Sequence, residues 1–335
     1  MRSTLLAAAA ALFFVSCADT KSIDVPIEFK EADDRLVITQ GGKPLAEYMK
    51  SGDDRTPRPY FRHVHAPTGQ QATINNPPAE GEPDDHHAFH VGLFQAFGRL
   101  GGQDTWRLKD RVAFAGYEVT PLGGLGEASF AVRNRYTKGT AANGETYCTE
   151  IARYTILARP HGTLILWESE FLPHGQVLEF GDQEEMGLAL RVNAPMNVSS
   201  NARNQSGKVG RILNSRGDLN ERGVRTPKQS VWCDYSGWVD GKFIGITLMS
   251  NPRNLRQPWW HARDYGLLVC NPFARQDLGG GKKSLLRVYP GQRFFIRYGI
   301  LIHSSEDEKS VDLDAAYQDY VTVSGARLRE LPNLR

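Results

Sequence analysis

Five of the nine histidines crowd into one short stretch, at His63, His65, His86, His87 and His90. Imidazole is the side chain best suited to moving protons near neutral pH, and it is the commonest metal ligand. Residues two apart on a strand share a face, so His63 and His65 point together; His87 and His90 would share one face of a helical turn. The spacing is not by itself a metal motif. A cupin-type His-x-His is followed by a glutamate a few residues on, where Gly69 and Gln70 stand here. Cysteine spacings of zinc sites are also absent. No cofactor is required by this pattern, although a divalent metal on His65, His87 and His90 is compatible with it.

Acids concentrate at 180–187, Phe-Gly-Asp-Gln-Glu-Glu-Met-Gly, where Glu184 and Glu185 are costly to bury unless partnered. This run is either a solvated turn or the carboxylate half of an acid–base pair. Strand alternation would let only one of the two glutamates face inward, with Glu185 slightly favoured. A third dense region, 251–266, holds Trp259, Trp260, His261, Arg263, Asp264 and Tyr265. Flat aromatic faces stack on sugar rings while arginine and aspartate bind hydroxyls; the alternative is a packed corner with a structural ion pair. Arg58, Tyr60, Asp234 and Asn271 have the same ambiguity. Taken together, His65, His87, His90, Glu184, Glu185 and His261 are the candidate catalytic groups. Arg58, Tyr60, Asp234, Trp259, Trp260, Arg263, Asp264, Tyr265 and Asn271 are the candidate substrate binders, and all should line one cleft if they act together.

The elements that must position these residues are strands. Phe294, Ile296, Tyr298, Ile300 and Ile302 alternate with Arg293, Arg297 and His303, a period of two that marks a half-buried strand. Phe130, Val132 and Tyr136 repeat the pattern, and 23–29, 35–39, 163–171, 242–249 and 266–270 also read as strands. Helix signals are few. The best lies near the C-terminus, where Ser310 can cap a segment with Leu313, Ala316, Tyr317 and Tyr320 on one face. Many strands without βα alternation predict an all-β fold, a large antiparallel β-sandwich with a short C-terminal helix. The polar stretch 201–229 reads as an extended loop over one face, and the proline-rich 75–85 loop leads into the histidines.

Several of these runs together resemble one family. They are Arg58-Pro59-Tyr60-Phe61 with His65-Ala66-Pro67, the segment 85–93, Asp104-Thr105-Trp106, the acidic run, 232–237, and 261–266 with Asn271-Pro272-Phe273. The chain is similar in them to the PmoA-like, or "methane oxygenase", domain family over roughly residues 55–303. Phe89 and Val91 stand where that family's pattern has His and Arg, while His87, His90, Gly92 and Leu93 agree. The resemblance implies a galactose mutarotase-like supersandwich, a fold common among sugar-active enzymes. It does not imply methane oxidation, because no apolar stretch after the leader reaches the ~18 residues of a spanning helix.

The N-terminus has its own pattern. Arg2, an apolar run to Val15, and small Ser16 before Cys17 describe a secretory leader. The run Phe14-Val15-Ser16-Cys17 resembles the bacterial lipobox, which implies lipidation of Cys17 after removal of residues 1–16. The remainder divides into a tether, 17–22, and one β-sandwich domain, 23–335. Ala18 directly follows the cysteine and Asp19 comes one place later, which favours the outer membrane under the Gram-negative sorting rule. Without Cys17 three cysteines remain, Cys148, Cys233 and Cys270, so at most one internal disulfide can form. Net charge of +2 gives no footing for nucleic acid. The leading expectation is an exported lipoprotein with a carbohydrate or glycoside as partner, acting by His/Glu acid–base chemistry of hydrolase, lyase or epimerase type. The alternatives are a non-catalytic glycan-binding lipoprotein and a metal-dependent enzyme on the histidine cluster. Cys17→Ser should remove the protein from the detergent-soluble membrane fraction; a wild-type chain recovered wholly soluble and unlipidated would contradict the lipobox reading.

Overall fold

Side-chain alternation sorts the chain into two large antiparallel sheets with one shared core. The computed structural model describes residues 23–50, 57–80, 86, 88–199 and 209–330. Cys17 with the leader and His87 lie outside the described residues. The first sheet has nine strands, in the order Trp259–Arg263, Leu267–Asn271, Met186–Arg191, Leu93–Phe97, Tyr60–Arg62, Lys43–Met49, Arg35–Gln40, Pro26–Glu31 and Gly124–Leu125. The second has eight: Arg211–Asn214, Trp232–Val239, Lys242–Ser250, Phe294–Ser305, Gly162–Pro173, Thr146–Arg159, Glu127–Thr137 and Arg111–Leu122. A small pair, Leu178–Phe180 with Leu286–Val288, stands apart from both. This is the all-β sandwich expected from the period-two pattern.

Ile296, Tyr298, Ile300 and Ile302 from the second sheet meet Leu93, Phe97, Leu188 and Leu190 from the first in the central core. At its centre Tyr48, Phe61, Phe130, Tyr154 and Trp167 pack ring against ring, with Phe130 and Tyr154 centroids 4.8 Å apart. Each such fully buried aromatic is worth roughly 1.5–3 kcal/mol against exposure. Within this apolar interior Glu150 accepts hydrogen bonds from Gln95 (2.9 Å), Asn134 (3.1 Å), Tyr136 (3.2 Å) and Ser169 (2.5 Å). Gln95 belongs to the first sheet and the other three to the second, so the carboxyl ties the layers together. Burial pushes its pKa up.

The outer face of the second sheet is partly covered by the helix Leu313–Glu330, through Leu313, Ala316, Tyr317 and Tyr320 against Leu157, Leu166, Trp232, Met249 and Leu301. The cap is Asp312, whose carboxylate accepts the Ala315 N–H at 2.9 Å, rather than Ser310. The expected loop 201–229 contains its own elements in its described part, the strand Arg211–Asn214 and a one-turn helix Asn220–Val224. Cys148, Cys233 and Cys270 are all buried and free.

Asp234 lies on the second sheet, fully buried, where it accepts from His303 Nε2 at 2.9 Å and Thr247 Oγ1 at 2.8 Å. It is therefore a packing group with no surface to offer a substrate. Gly245 makes the pair possible, since a Cβ there would lie 2.4 Å from His303 Nε2. Burial alone would raise the Asp234 pKa, but His303 and the hydroxyl hydrogen bonds outweigh it and hold the carboxyl below its ordinary value. The stability this contributes is present above the unfolded carboxylate range and is lost as pH falls through the lower folded value. Asp234→Ala should strand the imidazole and cost about 3–5 kcal/mol in denaturant unfolding; an unchanged midpoint would contradict this account.

Candidate functional site

The outer face of the first sheet, away from the shared core, is where the chemistry-bearing runs meet. On the edge strand Trp259–Arg263, Trp260 and Ala262 point into the core, leaving Trp259, His261 and Arg263 on the other face. Across the sheet from His261 come Val269, then Ala189, then Phe94, each paired with the next. These small and apolar side chains form a floor three strand spacings wide, roughly 14 Å.

At one end of the floor sits the acidic run. Glu184 and Glu185 lie in a bend just before the strand Met186–Arg191, so strand alternation does not govern them and both reach the site. The bend is held from behind by Asn271. Its amide donates to the carbonyls of Gln183 (2.8 Å) and Glu184 (3.0 Å), while its oxygen accepts from the N–H groups of Phe273 (2.8 Å) and Ala274 (3.1 Å). Asn271 is therefore a brace and is fully buried. Glu184 Oε2 lies 3.1 Å from His261 Nδ1, close but short of an aligned hydrogen bond, and Glu184 also pairs with Arg225. Arg263 donates to His261 Nε2 at 3.4 Å and to Glu221 at 2.9 Å. These partners assign the His261 proton to Nδ1, facing Glu184. The His261 imidazole, with Arg225 assisting against burial, holds the Glu184 carboxyl at about 2. Burial pushes its neighbour Glu185 upward, against the pull of its ion-pair partner Arg107.

The polar loop supplies part of this arrangement. Glu221 and Asp264 bond reciprocally: Asp264 Oδ1 accepts the Glu221 N–H at 2.9 Å, and Glu221 Oε2 accepts the Asp264 N–H at 3.0 Å. Trp259 Nε1 donates to the Pro227 carbonyl at 3.0 Å. Together these clasp 220–227 against the edge strand and place Arg225 over Glu184.

At the other end of the floor stands an aromatic group. The N–H groups of Phe89 (2.9 Å) and His90 (2.7 Å) both reach the His86 carbonyl, a turn that sets the His86 ring on the His90 ring at 5.3 Å. Tyr265 is near parallel to both, at 6.3 Å and 6.4 Å, with the Arg191 guanidinium 4.7 Å from its centroid. Trp106 meets the His90 ring edge-on at 5.7 Å. Beneath them Arg58, 1% exposed, donates to the carbonyls of Thr105 (2.9 Å), Trp106 (3.1 Å) and Phe89, with its cation 4.3 Å from the Phe94 ring. Arg58 thus clamps two turns together and has no face for a substrate hydroxyl. Burial lowers it to about 9.

The sequence comparison falls over this whole assembly. The family described as a family of unknown function, DUF6807, matches residues 35–318. The chain belongs to the DUF6807 family. The PmoA-like resemblance is corrected by that match, which carries no link to a methane oxygenase. No curated protein matches. Among solved structures, Slr1438 from Synechocystis sp. PCC 6803 is 11% identical, with 88% of this chain and 100% of that one aligned at a TM-score of 0.35. Heparan sulfate lyase HepC from Pedobacter heparinus is 8% identical, with 85% of this chain and 36% of the lyase aligned at a TM-score of 0.33. Likeness at that level bears on no function, and this DUF6807 chain spans about a third of the lyase.

Of the residues singled out by type and spacing, His90, His261, Glu184, Glu185, Arg263, Asp264 and Tyr265 come to this face, with Arg58 and Asn271 as supports. Others do not. His65 bonds through its N–H to Leu45, toward the opposite end of the strand Lys43–Met49 from Met49, the partner of Tyr60, and lines a separate cleft of about 450 Å³. Trp260 is wholly inside the core, and Trp259, 7% exposed, packs on Ala274 and Leu278. Neither tryptophan makes a stacking wall; the aromatic surface left open on this face belongs to His86 and Tyr265. Tyr60 is buried and its hydroxyl accepts from Asn76 at 3.0 Å. Among the described residues no three His, Cys, Asp or Glu side chains gather as metal ligands, and His65 stands away from His90. Sequence reading missed Trp106, Arg107, Arg191, Glu221 and Arg225; the four-residue spacing of Glu221 and Arg225 in a polar loop was the one available signal.

His90 is 5% exposed, and its Nδ1 has no hydrogen-bond partner among the described residues. Burial first, then the charges of Arg191, His86, Arg58 and His261, lower its pKa from 6.5 to about 2. The folded protein therefore keeps His90 neutral while the unfolded chain takes a proton near 6.5. Stability should fall as pH drops below that value, by up to about 1.4 kcal/mol per pH unit. His90→Gln should flatten this slope between pH 7 and 5 in denaturant melts; an unaltered slope would show that His90 protonates freely in the native state.

Proposed function

We propose that this DUF6807 protein is a lipid-anchored envelope protein active on carbohydrate, with His261 and its acidic neighbours performing acid–base chemistry. The observation that carries the reading is convergence. Groups from 86–90, 104–107, 184–185, 221–225 and 261–265 meet on one sheet face. The environments of Glu184 and Glu185 push their pKa values apart, the pattern that separates a permanently charged carboxylate from a proton donor. In this scheme Glu184 keeps His261 in one tautomer, and His261 Nε2 accepts a proton. Glu185 returns one from the other side of the bend. Glu184, Arg225 and Arg263 are about a third exposed, while His261 is buried beneath them, so the cluster meets solvent through the glutamate and the arginines. Exposed His86 and half-buried Tyr265 offer ring surface for a sugar, with buried His90 packed against both.

One observation favours binding without turnover: each glutamate of the cluster already has an arginine, Glu184 with Arg225, Glu185 with Arg107, Glu221 with Arg263. A glycan-depletion screen read by mass spectrometry separates the two readings. His261→Ala and Glu184→Gln should each lower turnover by about a hundredfold or more while leaving the folded spectrum unchanged. Turnover that survives both changes would end the acid–base reading, and glycan binding with no product from the wild type would favour a binding protein.

A further inference from the structure

The described residues include nine large apolar side chains that are exposed, and scattered singly they would need no explanation. Three of them are not scattered. Leu122 (70% exposed) and Leu125 (69%) sit on the turn joining Arg111–Leu122 to Glu127–Thr137, and Ile23 (48%) lies beside it. Backbone hydrogen bonds knot them together. Ile23 N–H reaches the Ala158 carbonyl at 3.1 Å, Ala158 N–H reaches Gly126 at 2.9 Å, and Gly126 N–H reaches Val25 at 2.9 Å. Gly123 and Gly124 keep the turn close to the first strand; a Cβ on Gly123 would meet the Ile27 carbonyl at 2.6 Å. Val119, also exposed, lies three residues back along the strand, on a cleft shared with Arg153, Glu168 and Arg327. Exposed Asp24 and the Arg327–Glu127 ion pair rim it.

Here the chain enters the fold. Cys17 is six residues before Ile23, so a lipid on it can stand no more than about 20 Å from this turn. We infer that the apolar turn Leu122–Leu125, with Ile23, is a membrane-docking surface that seats the domain on the bilayer holding its own lipid anchor. The inference rests on the lipid-anchor reading of Cys17. A lipid alone does not orient the domain, whereas exposed leucines at a turn can enter the interface and fix an orientation. The orientation is informative. Gly124–Leu125 is one edge strand of the nine-stranded sheet and Trp259–Arg263 is the other. Eight strand spacings separate them, about 38 Å at ~4.8 Å each. Docking by the first edge therefore holds His261 and Glu184 well away from the lipid, facing the surrounding solution.

The native cysteines at 148, 233 and 270 are each 0% exposed, so a single introduced thiol can be labelled selectively. Lipidated full-length protein carrying Leu125→Cys or Leu122→Cys, labelled with a solvatochromic dye, is reconstituted into phosphatidylethanolamine/phosphatidylglycerol vesicles. A blue shift of emission is expected at both positions and none at Leu219→Cys, which is exposed but lies before the helix that clasps the opposite edge strand. Intact mass first establishes acylation at Cys17. Absence of the acyl mass overturns the anchor and the docking with it. Acylated, vesicle-bound protein whose dye at 122 and 125 stays water-like overturns the docking alone. A concentration-dependent blue shift without vesicles would mean that a second copy covers the turn, and would overturn it too.

Discussion

Asn271 decides what the acidic run can be. A carboxylate close to an imidazole is useful only if its direction is fixed, and Glu184 sits in a bend that has no ladder to fix it. The four hydrogen bonds of one buried amide replace that ladder, two to the carbonyls of Gln183 and Glu184 and two from the following turn. Satisfied on all sides, a buried amide is rigid; with one bond lost it would carry an unmade hydrogen bond worth about 1–3 kcal/mol. The site is thus set from beneath by a polar group that never meets a ligand. Arg58 does the same for the histidine end, spending its two terminal nitrogens on three backbone carbonyls.

The molecule handles buried charge in three ways. Asp234 is given an imidazole and hydroxyls, and stays ionised. Glu150 is given only neutral donors and is pushed toward its protonated form. Arg58 is given carbonyls and an aromatic face. Each avoids the several kcal/mol of an unpartnered buried ion, whereas Glu184, Arg225 and Arg263 stay about a third exposed. That exposure separates the candidate site from these three buried charges.

The two-residue period made the fold legible, because it is written by burial on every strand and repeats along the chain. Ile296 to Ile302 face the core as their alternation requires. The site was legible only where several chemical groups crowd one segment, as in 261–265. Where a single polar residue serves as a brace, residue type alone does not reveal that role. Asp234 and Asn271 look alike as candidates, yet one closes a buried pair and the other shapes a bend. Trp259 and Trp260 misled for a related reason. Alternation turns Trp260 into the core, and Trp259, though on the site's face, is covered by Ala274 and Leu278. Arg225 and Glu221 were harder to read because their meaning comes from the docking of a five-residue helix, and their four-residue spacing announces a turn of helix but not where it docks.

An edge strand is ordinarily a hazard, with unpaired backbone groups open to other chains. Here the edge Trp259–Arg263 is covered by 220–227, and the covering segment also delivers Arg225 to Glu184 and Glu221 to Arg263. Protection of the edge and assembly of the site are therefore one structural act. The opposite edge is treated differently. Its last strand is only Gly124–Leu125, two residues whose outward surface is apolar. A strand this short blunts pairing with other sheets, and its Leu125 joins the ladder through its backbone while the side chain stays exposed. The sheet thus has one edge closed by polar clasping and one that is short and greasy, and this asymmetry gives the domain a direction.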